Sequence, residues 1–321
     1  MRPHVASAER NLLPGSGDGL SLPSGQAREA IVASLIVTTR NRARFLPPFL
    51  DSLEELEVHH PFEIVLVDNG STDGAWVLVR DFAERSKFQV QLVREARPGA
   101  SHGRNAGIAA ARGGILCFTD DDCYPRPDMI DALVEIFRVH EVGFVGGQAL
   151  LFDPADDPVC VTNRTESVIF PAGSVIATGE IQGSCMAFRR EVLDSVGLFD
   201  PAFGAGAPFK GAEDCDLVAR ASFGGWAGGF FPEPGTRHHH RRRGQSARMI
   251  TWNYDFARGA HLAKLLVEYP QHRRTILKHW YWNTQIFWRP SSRGFQKFWR
   301  EMQGASRYLL GHALRAGAPA A

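Results

Sequence analysis

Short apolar runs alternate with segments of helical periodicity along the first part of the chain. The predicted elements are, in order, strand 31–37, helix 45–56, strand 62–67, helix 76–82, strand 88–93, helix 102–111 and strand 115–118. The strands are almost continuously apolar, which is typical of strands buried on both faces. Strands that alternate with helices build βαβ units. The pattern therefore predicts an α/β fold, with a mixed, mostly parallel sheet covered by helices on both faces.

The pattern loosens after residue 150. The predicted elements there are loop and irregular strand over 151–180, helix 189–196, helix 213–223, strand 228–231, and helices from about residue 246 to the end. Residues 1–28 are rich in Gly, Ser, Pro and Ala without periodicity, which is typical of a flexible leader. We therefore expect a leader (1–28), an α/β domain (29–245) and a basic, aromatic-rich helical extension (246–321).

Composition narrows the class of protein. The chain has 321 residues, 44% hydrophobic and 22% charged, which excludes collagen-like and fully disordered chains. Its five cysteines are odd in number and form no Cys-x-x-Cys pair, which argues against a disulfide framework and favours a reducing compartment. No secretory signal is visible, and the longest apolar stretch (30–37) is far shorter than a membrane span. We expect a cytoplasmic protein, either free or in peripheral contact with the inner face of the cell membrane.

The net charge of +1 hides a marked asymmetry. Residues 241–321 contain 15 Lys and Arg against 3 Asp and Glu, for a net charge of +12, so the remainder carries −11. A basic tail on an acidic body suggests contact with something anionic, such as a membrane surface, a nucleic acid or a phosphorylated substrate. The alternative is a basic helical bundle that packs on the acidic body.

Polar side chains follow three of the predicted strands. The segments Thr38-Thr-Arg40, Asp68-Asn69 and Asp120-Asp-Asp122 lie where these strands end. Ligands of open α/β sheets bind at the carboxyl ends of the strands, so a nucleotide and a metal are expected there. Three adjacent carboxylates repel one another unless a cation neutralises them, and oxygen ligands suit Mg²⁺ or Mn²⁺. The alternative is a solvated acidic turn that caps the next helix.

Three further motifs contain candidate chemistry. Glu213 and Asp214 begin a predicted helix, where one of them is either a general base or a helix cap. The run His238-His-His240, followed by three arginines, offers imidazole to a metal and guanidinium to phosphate, or forms a surface loop. Arg104, near the start of another predicted helix, either reaches a phosphate or ribose or belongs to a structural ion pair.

Five motifs in this order resemble family 2 glycosyltransferases of the GT-A fold, the Rossmann-like fold of nucleotide-diphospho-sugar transferases. They are Val37-Thr-Thr-Arg-Asn-Arg42, Val67-Asp-Asn-Gly-Ser-Thr-Asp73, Gly103-Arg-Asn-Ala-Gly107, Phe118-Thr-Asp-Asp-Asp122 and Gly211-Ala-Glu-Asp-Cys-Asp-Leu217. The segment Gln182-Gly-Ser-Cys-Met-Ala-Phe-Arg-Arg190 also resembles the acceptor-side segment of the family. The resemblance covers about residues 30–245.

The resemblance implies roles for individual residues. Donor binding is implied for Thr38, Arg40, Asp68, Arg104, Asp120 and Asp121, and metal binding for Asp122, Asp120 and His240 or its neighbour His239. Asp214 matches the catalytic base of the family. Glu213, Cys185 and Met186 match the acceptor side, although Cys185 stands where the family often has Asn, and Thr38-Thr39 where it commonly has a proline. The register of the three aspartates stays open.

The implied activity is a metal-dependent, inverting transfer of a sugar from a nucleotide-diphosphate donor to a hydroxyl group. The expected cofactor is Mn²⁺ or Mg²⁺. The expected donor is a UDP-sugar, and the acceptor is a saccharide or a lipid-linked saccharide of polysaccharide, envelope or glycolipid synthesis. No nucleic acid is expected as partner, whereas 246–321 is expected either to pack on the domain or to contact an anionic membrane. The alternatives are a non-catalytic sugar-binding scaffold and a metal-dependent nucleotidyltransferase, which normally has a Gly-rich phosphate loop early in the chain.

Overall fold

The computed structural model describes residues 30–284 and 292–316. The predicted leader (1–28) lies outside these residues, as does the segment between the last two helices. All five cysteines are free thiols. Across the described residues, none of the helices combines the length and the apolar character that crossing a bilayer requires.

The strands join into one nine-stranded sheet within the described residues, in the order β3-β2-β1-β4-β8-β6-β9-β5, with β7 paired to β9. The strands are β1 (Ala33–Thr39), β2 (Phe62–Asp68), β3 (Gln89–Arg94), β4 (Ile115–Asp120), β5 (Cys123–Pro125), β6 (Phe144–Leu151), β7 (Val168–Phe170), β8 (Met186–Arg189) and β9 (Gly228–His238). The helices are α1 (Leu46–Glu54), α2 (Ala75–Arg85), α3 (Ala100–Ala110), α4 (Met129–Val139), α5 (Arg190–Val196), α6 (Glu213–Phe223), α7 (Gln245–Glu268), α8 (Arg273–Thr284) and α9 (Ser292–Ala316).

The first half of the sheet is parallel and confirms the predicted βαβ pattern. Strand β1 pairs with both β2 and β4, and β3 extends the sheet beyond β2. Because successive side chains of a strand point to opposite faces, β1 contributes to two cores. Leu35 and Val37 pack on one face with α1, α2 and α4, whereas Ile36 packs on the other with α3, α5 and α6. Each apolar strand is thus covered on both sides.

The second half of the sheet is mixed, and the sequence predicted little of it. Strand β8 runs antiparallel to β4 and β6, while β6 and β9 are parallel to each other. Strands β5, β6 and β8 were not predicted. Helix α4 was expected only as the helix that an acidic turn would cap, and β7 lies in the segment predicted as loop and irregular strand. Strand β9 extends to His238 rather than ending at residue 231. These strands are short, rich in glycine or interrupted by a shift in register at Gly146/Gln148, so they lack a clean apolar run.

The predicted C-terminal helices pack on the α/β domain rather than projecting from it. Helices α7 and α9 cross in backbone contact, since a Cβ at Gly259 would lie 1.8 Å from the Glu301 carbonyl oxygen. A Cβ at Gly304 would lie 1.9 Å from the Phe256 carbonyl oxygen. Helix α7 in turn is tied to α6, because Lys264 Nζ lies 2.8 Å from an Asp216 carboxylate oxygen in a buried ion pair. Helix α7 therefore forms a wall of the domain.

Candidate active site

Two of the three predicted aspartates meet basic and hydroxyl groups at the end of β4. Thr39, the last residue of β1, donates a hydrogen bond to Asp121 Oδ2 at 2.6 Å. Arg42 Nη2 donates to Asp122 Oδ2 at 2.7 Å, and its Nε lies 3.4 Å from Asp121 Oδ1. Burial raises the pKa of Asp121 to about 7, although the Arg42 charge opposes this shift. Desolvation of Asp121 is therefore only partly compensated by the protein itself.

His238 lies beside the aspartates at the end of β4. Strand β5 pairs with the end of β9 so that Cys123 lies opposite His238, and the His238 Nε2 atom lies 3.4 Å from Asp122 Oδ1. Burial acts to raise the pKa of Asp122, but its hydrogen bond to His238 and the nearby Arg42 charge hold that pKa below its usual range. Burial acts to lower the pKa of His238, yet Asp122 raises it above its ordinary value.

The donor atoms at this end of the sheet fit a divalent cation. Ligand atoms of Asp122, Cys123 and His238 lie within 4.8 Å of one another. Burial raises the pKa of the Cys123 thiol well above its ordinary value. The carboxylate oxygens suit Mn²⁺ or Mg²⁺, and the imidazole nitrogen of His238 suits a transition metal such as Mn²⁺ better than Mg²⁺.

Two residues with a strained backbone lie directly before α6, whose first residues are close to this end of the sheet. Lys210 and Ala212 have φ values of +58° and +65°, in the left-handed region that side chains with a Cβ rarely adopt. The helix begins directly after them with Glu213. Asp214 accepts hydrogen bonds from the Gly183 amide through Oδ2 (3.0 Å) and from the Cys215 amide through Oδ1 (2.7 Å). Both oxygens are thus held in place, and each keeps a lone pair for a further donor.

Arg104 connects the two acidic clusters. Its buried guanidinium donates to Asp120 Oδ1 at 2.8 Å and to Glu213 Oε1 at 2.7 Å. Burial raises the pKa of Glu213, and the Arg104 charge partly opposes that shift. In this structure both terminal nitrogens of Arg104 are engaged by carboxylates, so Arg104 forms the structural ion pair that was one of its two predicted roles.

Two cavities share this set of residues. The smaller, of about 390 Å³, is lined by the ends of β1 and β4, the start of α3 and the loop before α6. The larger, of about 570 Å³, is lined by residues 158–161 and 178–184, the start of α6 and one side of α7. Both cavities are lined by the following residues: Arg104, Asp120, Glu213, His238 and Tyr254. A group bound in one cavity therefore lies next to a group bound in the other.

Most of the residues singled out in the sequence line these cavities. Thr38, Arg40 and all three aspartates of 120–122 line the smaller cavity, and Asp214 lines the larger. Asp68 is an exception: it is buried at the end of β2, where it accepts a hydrogen bond from the Ser71 amide at 3.2 Å. Its neighbour Asn69 lines the smaller cavity in its place.

The predicted histidine is displaced by two positions. His240 is buried beside Asp156, with 3.7 Å between Nδ1 and a carboxylate oxygen, and accepts a hydrogen bond from the Arg242 amide. His239 packs on Tyr124, also away from the cavities. His238 is the member of the run that meets Asp122, because pairing of β9 with β5 continues to that residue. The run of three histidines could not reveal its register without this pairing.

The two acceptor-side residues predicted from the segment 182–190 are also displaced. Cys185 and Met186 are buried in the cores on opposite faces of the sheet, with 1% and 0% of their surfaces exposed. They lie at the start of β8, where apolar side chains are covered on both faces by helices. The preceding residues, Gln182, Gly183 and Ser184, line the larger cavity instead.

Sequence reasoning missed three residues that line the site. Arg42 belongs to the first motif, and its spacing from the end of β1 offered a signal. Tyr254 and Arg258 line the larger cavity from α7. They had no local signal, because only the packing of α7 on the domain brings them there.

The architecture is that of GT-A fold glycosyltransferases, and comparison with known proteins gives the family. The sequence profile of glycosyl transferase family 2 matches residues 34–197, and the chain belongs to that family. An uncharacterized glycosyltransferase of Nostoc sp. is 30% identical over 176 residues, which cover 52% of this chain and 54% of that relative. Glycosyltransferase AglE of Haloferax volcanii is 30% identical over 115 residues, covering 36% and 38% of the two chains. The chain thus spans about half, or less, of the curated relatives that it matches.

Solved structures share the fold at low sequence identity. The mannosyltransferase PcManGT of Pyrobaculum calidifontis, in complex with GDP-Man and Mn²⁺, has a TM-score of 0.58 at 22% identity, over 92% of this chain and 77% of the other. TarS of S. aureus, in complex with UDP-GlcNAc, has a TM-score of 0.59 at 17% identity, over 80% and 73%. At these identities the likeness establishes the architecture.

Proposed function

We propose that the protein transfers a sugar from a nucleotide-diphosphate donor to a hydroxyl acceptor, with inversion at the anomeric carbon. The single observation that carries the proposal is the shared wall of the two cavities. Asp120, Arg104, Glu213 and His238 border both, while Asp214 lines only the larger. A donor in the smaller cavity and an acceptor in the larger one would therefore meet beside Asp214, which is the arrangement that a single in-line displacement needs.

The smaller cavity is proposed as the donor site. Thr38, Arg40 and Asn69 line its nucleotide end, and Arg42 and Arg242 supply positive charge close to the aspartates. Asp122 and His238, with Asp120 or Asp121, would hold a divalent cation, Mn²⁺ or Mg²⁺. When bound, such an ion neutralises the charge of a leaving diphosphate. The arginines of the cavity would add to this stabilisation as the bond between the anomeric carbon and the diphosphate oxygen breaks. The neighbour PcManGT, which binds GDP-Man and Mn²⁺, supports the same assignment.

Asp214 is proposed as the general base. The Gly183 and Cys215 amides fix its two oxygens, so the remaining lone pairs can face a hydroxyl group in the larger cavity. As the oxygen of the acceptor attacks the anomeric carbon, its proton passes to Asp214. Glu213 is engaged by Arg104 and serves to position the neighbouring groups rather than to take the proton.

The acceptor is proposed to be a saccharide or a lipid-linked saccharide of polysaccharide, envelope or glycolipid synthesis. The larger cavity has room for sugar units, at about 570 Å³, and polar groups converge on it from α6 and α7. We also propose that residues 246–321 serve as the acceptor-side region of the enzyme, and that it acts in the cytoplasm, with contact at an anionic membrane when the acceptor is lipid-linked.

The donor proposal is tested by thermal unfolding of the purified protein with UDP-, GDP- and dTDP-sugars, each with Mn²⁺, Mg²⁺ or EDTA. A ligand that binds only the folded state raises the unfolding temperature by mass action. We expect a rise with a UDP-sugar and Mn²⁺ or Mg²⁺ that EDTA abolishes. The Asp122→Ala variant serves as the control without the site and should show no rise.

No rise with any nucleotide sugar would contradict the donor assignment and favour a non-catalytic scaffold on the same fold. A rise with GDP- or dTDP-sugars instead of UDP-sugars would keep the transferase and correct the base. A positive donor result without hydrolysis or transfer in the presence of saccharides would point to a lipid-linked acceptor.

A further inference from the structure

Helix α9 has an inner side that is firmly fixed to the rest of the domain. Glu301 is 1% exposed and pairs with Arg258 at 2.6 Å, and it accepts a hydrogen bond from the Trp280 indole at 2.8 Å. Gly304 lies in backbone contact with α7, and Ala305 and Tyr308 are buried in an apolar cluster with residues of the domain. The orientation of the helix is therefore set by its inner side.

The opposite side of α9 is apolar and exposed. At 100° per residue, its large apolar side chains fall within roughly 140° of the helix circumference. The side chains and their exposed fractions are Phe295 (60%), Trp299 (55%), Met302 (37%), Leu309 (47%), Leu310 (66%) and Leu314 (77%). In the described part of the chain these six side chains, here called the α9 face, are exposed by a third or more, with Gln303 and Ser306 between them. Soluble proteins rarely expose so many large apolar side chains on one side of a helix without a partner.

A row of arginines borders the α9 face. Arg293, Arg300 and Arg307 are seven residues apart, so they lie along one edge of it. The Arg300 guanidinium stacks at 5.1 Å on the ring of Trp252, which is 39% exposed on α7 and extends the surface. Glu301 is the only Asp or Glu in residues 269–321, and it faces inward. Within residues 269–321 the charge along this edge is therefore positive, and the carboxylate that acts on Arg300 is Asp255 of α7.

We propose that the α9 face docks on a lipid bilayer rich in anionic lipids. Large apolar and aromatic side chains next to basic residues match the two layers of such a surface, acyl chains and headgroup phosphates. A second copy of the chain is the other occupant to consider. Two α9 faces packed antiparallel would place their arginine rows on the same edge, and in no packing would a carboxylate of residues 269–321 pair with them, whereas anionic headgroups pair with the row directly. Charge complementarity therefore favours the lipid surface.

The α9 face lies on the same helix as part of the proposed acceptor cavity. Arg293 lines that cavity at one end of α9, and α7 supplies Tyr254, Asp255 and Arg258 to it. Docking of α9 would thus bring the cavity close to the headgroup layer. The inference deepens the proposed function, because it names a membrane-embedded, lipid-linked molecule as the acceptor class. It does not need the chemistry to be correct, since docking is measured without any sugar.

The test is flotation of the full chain with vesicles of phosphatidylcholine alone or with phosphatidylglycerol added at 30%. We expect binding only to the anionic vesicles, and weaker binding when salt is raised, because salt screens the arginines. The variant carrying Trp299→Glu and Leu310→Glu should bind at least 10-fold more weakly. Val139→Glu, an equally exposed apolar position on α4 at 58%, is the matched control and should bind as the native chain does.

Arg307→Gln gives a second, milder variant in case the double variant fails to fold, which circular dichroism would detect. We expect it to weaken binding to anionic vesicles several-fold. Undiminished binding of both folded variants, or no binding of the native chain, would overturn the proposal. A native dimer in light scattering that the double variant converts to monomer, without vesicle binding, would instead assign the face to a second copy. Donor-induced thermal shifts in the same variants are expected to match those of the native chain, so failure of docking and failure of the donor site are distinguishable.

Discussion

The two cavities of the active site are built in different ways. One wall of the smaller cavity consists of residues at or just after the ends of the parallel strands, such as Thr38, Arg40 and Asp120, and these are the residues that its sequence motifs contain. The larger cavity takes its walls from distant segments, including the loop 158–161, the turn 178–184 and helix α7. The first is therefore specified by short motifs, and the second by how the C-terminal half packs on the sheet. The residues of the proposed donor side can therefore be recognised in the sequence, whereas those of the acceptor side can be identified only from the three-dimensional structure.

The largest effect is expected where the cavities meet. We predict that Asp214→Asn lowers turnover by about 1,000-fold or more, since loss of a general base commonly costs a factor of 100 to 10,000. Donor binding, measured by calorimetry, should stay within about two-fold, because Asp214 lines only the larger cavity. Asp194→Asn, an exposed carboxylate of α5, is the control. Normal turnover in Asp214→Asn would remove Asp214 from the mechanism.

Loss of Asp122 should instead act on the donor side alone. We predict that Asp122→Ala weakens metal-dependent binding of the nucleotide about 100-fold, an effect of the size found when metal sites are disturbed. Removing the metal with EDTA should weaken binding to the native chain to the same level and change the variant little. Asp128→Ala, outside the cavities, controls for loss of a carboxylate. Equal metal dependence in Asp122→Ala and the native chain would contradict the assignment.

The proposed acceptor site can be tested by placing a bulky side chain in the larger cavity. Thr251 lines the larger cavity from α7 but does not line the smaller one. We predict that Thr251→Trp raises the KM for the acceptor about 10-fold, the equivalent of ~1.4 kcal/mol of lost binding free energy, and leaves the KM for the donor unchanged. The control is Val77→Trp, at a position that is 45% exposed on α2. A rise in the donor KM of Thr251→Trp would show that the cavities do not divide the substrates as proposed.

A smaller effect should come from the junction that holds α7 against α6. Burial lowers the pKa of His261 to about 4, while Asp216 opposes this shift. Below a pH of about 6.5 the imidazole of His261 binds a proton in the unfolded chain but not in the folded chain. The stability that the neutral buried imidazole provides is therefore lost as the pH falls towards 4. Between pH 7.5 and 5.5 the contribution is about 1 kcal/mol.

The measurement is the free energy of unfolding in urea at those two pH values. We expect His261→Gln to remove about 1 kcal/mol of the dependence on pH, and His60→Gln, on an exposed loop, to leave it intact. An unchanged dependence in His261→Gln would show that the buried imidazole is not a source of acid sensitivity at this junction.

The same division explains how much the sequence could predict. The parallel half of the fold was predictable because each strand is an uninterrupted apolar run, and the site residues there are adjacent to the strand ends. The role of His238 was not predictable, because a run of three histidines does not indicate which of them lies opposite β5. Cys185 and Met186 were misplaced for a related reason: the short strand β8 is covered on both faces, so its residues are core, although they follow residues of the larger cavity directly.

Helix α7 shows a further limit. Its apolar side chains predicted a helix, and packing of that helix on the domain was one of two alternatives for 246–321. Which of its polar residues would enter the larger cavity depends on the angle at which it crosses α6 and α9. That angle is set by a backbone contact at Gly259 and by the buried pair of Lys264 and Asp216, two interactions between residues far apart in sequence.

The double ion pair of Arg104 has a consequence for how the two substrates affect each other's binding. A donor that displaces or reinforces the contact of Arg104 with Asp120 also changes the contact of Arg104 with Glu213, on the acceptor side. Binding free energies linked in this way are reciprocal: whatever factor the donor applies to acceptor affinity, the acceptor applies to donor affinity. We expect nucleotide titrations with and without acceptor to differ in the native chain and to coincide in Arg104→Met. A single buried guanidinium would then act as the thermodynamic link through which each substrate changes the affinity for the other, whichever binds first.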